Sequence, residues 1–145
     1  MIENHLTYRP LQLEDLELLL AWRSNPDIYK HFRNQKSALT WSDHLSWFGS
    51  RPIDRHDYII EYNGRRVGSV NLTQDSYVGV FIGEVDLWGE GIATEAVNWV
   101  CQRHSREKYF AEIHEDNIGS KQLFEKCGFT KHECVDEWII YQLDD

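Results

Sequence analysis

The chain of 145 residues is 41% hydrophobic and 13% aromatic, enough to bury the core of one domain spanning 1–145 and too apolar for a disordered segment. Its formal net charge of −9 argues against nucleic acid, which needs a basic surface, and leans towards a cationic amine as ligand. The longest apolar run, Leu18 to Trp22, is too short to span a bilayer, and the N-terminus lacks the basic-then-apolar order of a secretion signal, so a cytoplasmic protein is expected.

In chain order, Leu6 to Arg9 reads as a strand ending at Pro10, and Asp15 to Arg23 as a helix carrying Leu16, Leu19, Leu20 and Arg23 at helical spacing. Asn25-Pro26 breaks that helix. A second helix is expected from Trp41 to Ser50, opened by Thr40 and Asp43 in capping-box positions. Strands Tyr58 to Tyr62 and Arg66 to Leu72 flank Asn63-Gly64, a strong hairpin signal. Tyr77 to Ile82 is the next strand, followed by a glycine-bearing loop. A long helix from Ala93 to His104 comes after it, with residues 93, 96, 97, 100, 101 and 104 at the spacing of one helix face. A strand over Phe110 to Ile113, a helix over Ser120 to Lys126 ended by Gly128, and a hairpin of Thr130 to Val135 with Trp138 to Leu143 complete the chain. The order β-α-α-β-β-β-α-β-α-β-β predicts an α/β (α+β) fold. It implies a mixed sheet with helices on both faces, since hairpins make antiparallel pairs and the long helix a crossover.

Cys101, Cys127 and Cys134 show no CxxC spacing, and the seven histidines show no ligand spacing. Neither a disulfide framework nor a metal site is expected, and Cys101 reads as a small core residue.

The most informative stretch runs from Asp86 to Ala96. Gly89 and Gly91 fall at a strand-to-helix junction, where unpaired backbone N–H groups and the positive helix end favour an anion. Glycine lets a phosphate approach the backbone closely, although many helices begin this way without binding anything. Gly79 and Gly83, at the preceding strand, fit either a bulge or close approach of the backbone to a ligand.

Taken from Trp88, this stretch resembles the Gln/Arg-x-x-Gly-x-Gly/Ala acyl-CoA loop of the GNAT superfamily of N-acetyltransferases, with Trp88 replacing the usual Gln or Arg. That replacement is similar to the Rim-type subgroup. A second block, Asn117-Ile118-Gly119-Ser120 through Phe124-Glu125-Lys126-Cys127-Gly128-Phe129, resembles the family's Asn-x-x-Ser…Tyr-Glu-Lys-x-Gly-Phe element. The resemblance covers nearly the whole chain and implies a mainly antiparallel sheet of about six or seven strands. It implies acetyl-CoA as cosubstrate, no metal, a small-molecule amine as partner, no nucleic acid or membrane partner, and a monomer or homodimer.

It also implies roles for residues. Main-chain groups of Trp88, Gly89, Glu90, Gly91, Ile92, Ala93 and Thr94 would hold the cofactor pyrophosphate. Phe81, Ile82 and Gly83 would face the pantetheine arm and thioester. Asn117 would bond the pantetheine, though Asp-Asn-x-Gly is also ordinary turn chemistry, and Ser120 fits a plain helix N-cap equally well. Glu112 is the expected general base, acting through one water, with His114 and Glu115 as alternatives in a shifted strand register. Phe124 departs from the family, where many members carry a Tyr proposed to protonate the departing thiolate. Either the thiolate leaves without a protein acid, or the chain is a non-catalytic acyl-CoA binder.

On the acceptor side, Trp22-Arg23-Ser24-Asn25-Pro26 and Thr40 to Phe48 resemble acetyltransferases acting on nucleotide-linked 4-amino sugars of pseudaminic-type synthesis. Trp22 and Trp47 would then stack on base or sugar, and Arg23 and Asn25 would meet the polar groups, Arg23 a phosphate. The other reading makes both tryptophans core residues. A Rim-type protein N-terminal or small-amine acetyltransferase is the alternative.

Overall fold

The computed structural model describes residues 5–30 and 39–144. Among them the chain forms β1 (Leu6–Pro10), α1 (Leu16–Arg23), α2 (Pro26–Tyr29), α3 (Trp41–Gly49), β2 (His56–Tyr62), β3 (Arg65–Leu72) and β4 (Val78–Ile82). It continues with α4 (Ile92–Arg103), β5 (Lys108–His114), α5 (Ile118–Lys126), β6 (Thr130–Val135) and β7 (Trp138–Asp144). The expected elements all occur, with ends moved by one or two residues. The exception is Asn25-Pro26, which starts a helix as well as ending one. The Asn25 side chain accepts the Asp27 N–H at 3.0 Å, and Pro26 takes the first position of α2, where a missing N–H costs nothing. Thr40 caps α3 by accepting the Asp43 N–H at 3.1 Å.

The sheet is divided. Strands β1-β2-β3-β4 form one antiparallel sheet and β5-β7-β6 another. The two touch at a parallel bridge between Tyr77 and Phe110, where the Phe110 N–H reaches Ser76 O at 2.8 Å. Asn63 and Gly64 turn the β2–β3 hairpin with φ of 52° and 83°, the doubly positive geometry that a two-residue turn needs.

Helices cover both faces. Tyr58, Ile60, Val70, Leu72 and Ile82 pack against Ala96, Val97 and Val100 of α4, and this core runs on through Ala111, Ile113, Phe124 and Phe129. On the other face Ile59 packs under Leu16, Leu19 and Trp22 of α1 and Ile28 of α2. No helix among the described residues is long and apolar enough to cross a membrane.

Two contacts fix α1 on the sheet. At its start, Asp15 is fully buried and accepts Arg9 Nη1 and Nη2 at 2.7 Å each, the Gln12 N–H at 2.9 Å and Arg66 Nη1 at 3.2 Å. Burial alone would push this carboxyl up, but the Arg9 bonds, with Gln12 N–H and Arg66, outweigh it and hold it below its ordinary value. At the other end, Trp22 is 5% exposed, and its indole N–H reaches Glu84 Oε2 at 3.0 Å. A Cβ on Gly83 would overlap the Trp22 ring, so glycine here makes room for an indole.

Asp15→Asn should cost about 3–5 kcal/mol in denaturant unfolding, because it leaves the two guanidiniums against a neutral amide. The carboxyl's folded pKa lies below its unfolded one, so its stabilisation is complete above about pH 4 and lost as pH falls through the folded value. Wild-type stability should therefore drop below about pH 4, and the variant's should drop less. Gly83→Ala should cost about 1–3 kcal/mol by overpacking. In a Trp22→Leu background the same change should cost much less, and equal costs in both backgrounds would remove the indole from the account.

Candidate functional site

The 12-residue helix α4 begins without a side-chain cap, because its N-cap is Gly91, in the left-handed region at φ 83°. Gly89 has φ 85°, and a Cβ at either glycine would meet nothing within 4 Å. Backbone conformation, with open space beside it, therefore sets the need for glycine at both positions. The first helical acceptor is Gly91 O, bound by the Glu95 N–H, so the N–H groups of Ile92, Ala93 and Thr94 precede any helical partner. Together they form the positive end of a three-turn helix, a place for an anion.

This end opens into a cleft of about 470 Å³ that brings together Phe81, Ile82, Trp88, Gly89, Gly91, Ile92, Ala93, Thr94, Asn117 and Ser120. Sequence reasoning missed Ile28, Val80, Leu87, Gln122, Leu123 and Lys126 in the same lining. Lys126 was legible as a cation in the second block. Ile28 was not, because α2 was unexpected. Glu90 is exposed and lies outside the lining.

The strand register corrects the expected main-chain contacts. The Gly83 N–H bonds Val67 O at 2.8 Å, and Phe81 lies opposite Ser69, so the main-chain groups of Gly83, Phe81 and Gly79 belong to the β3 ladder. By alternation, those of Val80 and Ile82 face the gap towards β5. Ile82 and Val80 thus share the open edge, while the Phe81 ring turns to the other face and meets Trp22 edge-on at 6.1 Å. The Ile82 carbonyl already accepts the Trp88 indole N–H at 2.8 Å, which places Trp88, 43% exposed, at the mouth of the cleft. Gly79 marks neither a bulge nor a ligand approach, because a Cβ there would meet the Asn71 side chain at 3.0 Å.

Asn117 is the N-cap of α5, its side chain accepting the Ser120 N–H at 3.2 Å, so Ser120 is the third helical residue and no cap. Both still line the cleft. Phe124 does not. It is 5% exposed and packs edge-on against Phe129 at 5.1 Å, while the Phe129 N–H bonds Phe124 O and the Gly128 N–H bonds Glu125 O, both at 3.0 Å. With Gly128 at φ 93°, this is a Schellman ending with its hydrophobic contact, which gives Phe124 a packing role.

Glu112 is half-buried on β5, two residues past the Tyr77–Phe110 bridge. It alternates with the buried Ala111 and Ile113 and so lies on the face away from α4 and α5. His114 Nδ1 accepts the Asp116 N–H at 3.1 Å and its ring meets Trp138, while Glu115 is exposed in the following turn. The expected acceptor residues gather on the α1 side of the sheet, where Trp47 packs against the cluster that buries Trp22 and Arg23 lies near Arg55 and Asp57. Trp22 belongs to the core, as described, and Asn25 caps α2. Trp47 stacks on His44 at 5.6 Å, with the guanidiniums of Arg51 and Arg55 over its ring at 5.7 and 5.4 Å. Arg23 is half-buried, its guanidinium pushed down by burial and by nearby Arg55, with Asp57 opposing.

Comparison with known proteins agrees with this architecture. The crystal structure of a domain from Methanocaldococcus jannaschii superposes with a TM-score of 0.91 at 40% identity, over 99% of this chain and 100% of that one. The uncharacterized protein MJ1062 of the same organism is 43% identical over 94% of the chain, which spans only 31% of that protein's length. Spermidine N-acetyltransferase from Vibrio cholerae, in complex with CoA and spermine, has the same fold at 17% identity, with a TM-score of 0.81 over 94% of this chain and 92% of that one. Residues 5–130 match the acetyltransferase (GNAT) domain, and the chain belongs to that family.

Proposed function

We propose that the chain is an acetyl-CoA-dependent N-acetyltransferase acting on a small primary amine. The observation that carries this reading is one cleft joining an uncapped helix end to an unpaired strand edge. The N–H groups of Ile92, Ala93 and Thr94 fit a pyrophosphate, with Lys126 as a nearby cation, and the main-chain groups of Val80 and Ile82 fit an amide-bearing arm. When bound, acetyl-CoA supplies an acetyl group as an activated thioester.

The remaining chemistry falls to the chain's own residues. Where β4 and β5 part, the cofactor cleft lies on the α4 side and Glu112 on the other, so an amine approaching from that face meets the carboxylate. Glu112 takes the amine proton, directly or through one water, as nitrogen attacks the thioester carbon. With Phe124 in the core, no protein acid is assigned to the thiolate, and water protonates it. A thiol of ordinary pKa, about 8.5, is a tolerable leaving group near neutral pH.

Support for a nucleotide-linked amino sugar as acceptor is the resemblance of the 22–26 and 40–48 segments to enzymes for such sugars. With Trp22 and Trp47 engaged within the protein, Arg23 is the residue of that set still suited to a phosphate. The structural relatives named for spermidine and for aminoglycosides also take amines. Incubation with acetyl-CoA and a panel of nucleotide-linked amino sugars, free amino sugars, polyamines and peptides, followed by thiol release, tests the reading. Acetyl-CoA binding with no acceptor acetylated would overturn it, and transfer to peptides alone would favour the Rim-type alternative.

Gly91→Ala should cost about 1–2 kcal/mol of stability from its positive φ. The folded fraction should bind acetyl-CoA tenfold or more weakly, about 1.4 kcal/mol by calorimetry. Glu112→Gln keeps shape and loses charge, so kcat should fall roughly 100-fold with acetyl-CoA affinity near wild type. An unchanged pH–rate profile in that variant would assign the proton to another group.

A further inference from the structure

We propose that Arg51 and Arg55 form a second anion site, one that binds a phosphate group well away from the end of α4. Both guanidiniums are tied to one carboxylate. Arg51 Nη1 reaches Asp57 Oδ2 at 3.1 Å, and Arg55 Nε reaches the same oxygen at 3.0 Å, with Arg55 Nη2 on Oδ1 at 3.1 Å. The side chains are 22% and 19% exposed and that of Asp57 is 3% exposed. Among the described residues no second carboxylate pairs with either arginine, so the cluster keeps an excess positive charge in a chain of net charge −9. Two cations share one carboxylate here, so a further anion would balance the charge that Asp57 leaves over.

The cluster is also rigid. Arg51 lies over the Phe48 ring at 4.2 Å, both guanidiniums lie over Trp47, and Arg51 Nε is anchored on Phe48 O at 3.1 Å. These contacts leave Arg51 Nη2 and Arg55 Nη1 without a hydrogen-bond partner among the described residues. Two fixed planar forks with free N–H pairs suit the oxygens of a phosphate. They line a pocket of about 300 Å³ together with Phe48, Pro52, His56 and Asp57. His56 stacks on His104, at the far end of α4, with ring centroids 3.8 Å apart. Twelve helical residues, about 18 Å, therefore separate this pocket from the first anion site.

The pocket is placed to serve the reaction. Asp57 lies opposite Asn71, and Asn71 opposite Gly79, so the cluster sits two strand spacings, about 10 Å, from β4. Asp57, Asn71 and Gly79 share the sheet face turned away from α4, the face on which Glu112 lies. A phosphate in the pocket could belong to the amine acceptor or to a separate phosphorylated small molecule. The acceptor source rests on the acetyltransferase reading, whereas binding itself does not.

The test uses the whole chain, with coenzyme A added to fill the cleft at α4, and titrates inorganic phosphate and pyrophosphate by calorimetry. Saturable binding is expected, weakened tenfold or more by Arg51→Met and by Arg55→Met, and less by Arg55→Lys. Phosphate should also protect Arg51 and Arg55 of the wild type from phenylglyoxal, read by mass spectrometry, which decides the matter even if a variant fails to fold. No saturable binding, binding indifferent to the variants, or no protection would overturn the proposal. If coenzyme A fails to bind, the cofactor reading fails, and the site removed by the arginine variants still reports on this one. With matched amine acceptors, a KM rise in Arg55→Met confined to the phosphorylated member assigns the phosphate to the acceptor. Equal KM values with phosphate binding intact assign it to a separate ligand, and either result supports the site.

Discussion

The parting of β4 from β5 is the constraint on which the rest of this structure depends. A strand in a closed sheet spends its N–H and C=O groups on two neighbours, whereas β4 spends them on β3 alone beyond the Tyr77–Phe110 bridge. Buried main-chain groups demand partners, so the fold must offer Val80 and Ile82 either water, a side chain or a ligand. Trp88 meets part of that demand through the Ile82 carbonyl. The remainder is available to an extended, amide-bearing molecule. Neighbouring features follow from the same opening, since α4 can present its free N–H groups only where no strand blocks them.

Around that opening, glycine serves two physical purposes. At 89 and 91 it supplies positive φ beside empty space, which keeps a helix end bare. At 79 and 83 it removes a Cβ so that Asn71 and Trp22 can lie against the strand. The first use exposes backbone and the second covers it. Together they make one face of β4 a floor for packed side chains while its free edge stays accessible.

Much of this was legible in the chain, for identifiable reasons. The Asn63-Gly64 turn, the apolar stripe of α4 and Gly128 after α5 are local signals, and local physics decides them. The glycine loop was legible because positive φ and a helix start leave a residue signature. Parity along β4 was not, because which residues face β3 depends on pairing with Val67 and Ser69, distant in sequence. The fates of Trp22 and Trp47 were open for the same reason. An indole suits a ligand or a core equally well; Gly83 makes room for Trp22 in the core, while Trp47 stays half-buried beneath Arg51 and Arg55. Phe124 looked like a lost acid because its motif position suggested chemistry, whereas its surroundings are apolar.

Glu84 links these parts in a way that reaches beyond this molecule. One of its carboxylate oxygens accepts the Trp22 indole N–H and the other accepts Arg65 Nη2 at 2.7 Å. The residue thus joins the end of α1, the first rung of β3 and the entry to the glycine loop at a single point. A relative that exchanged Trp22 for a smaller residue would leave the carboxylate short of a donor and the surface above Gly83 bare. Positions 22, 65, 83 and 84 therefore act as one physical unit, in which a change at any member alters what the others must satisfy.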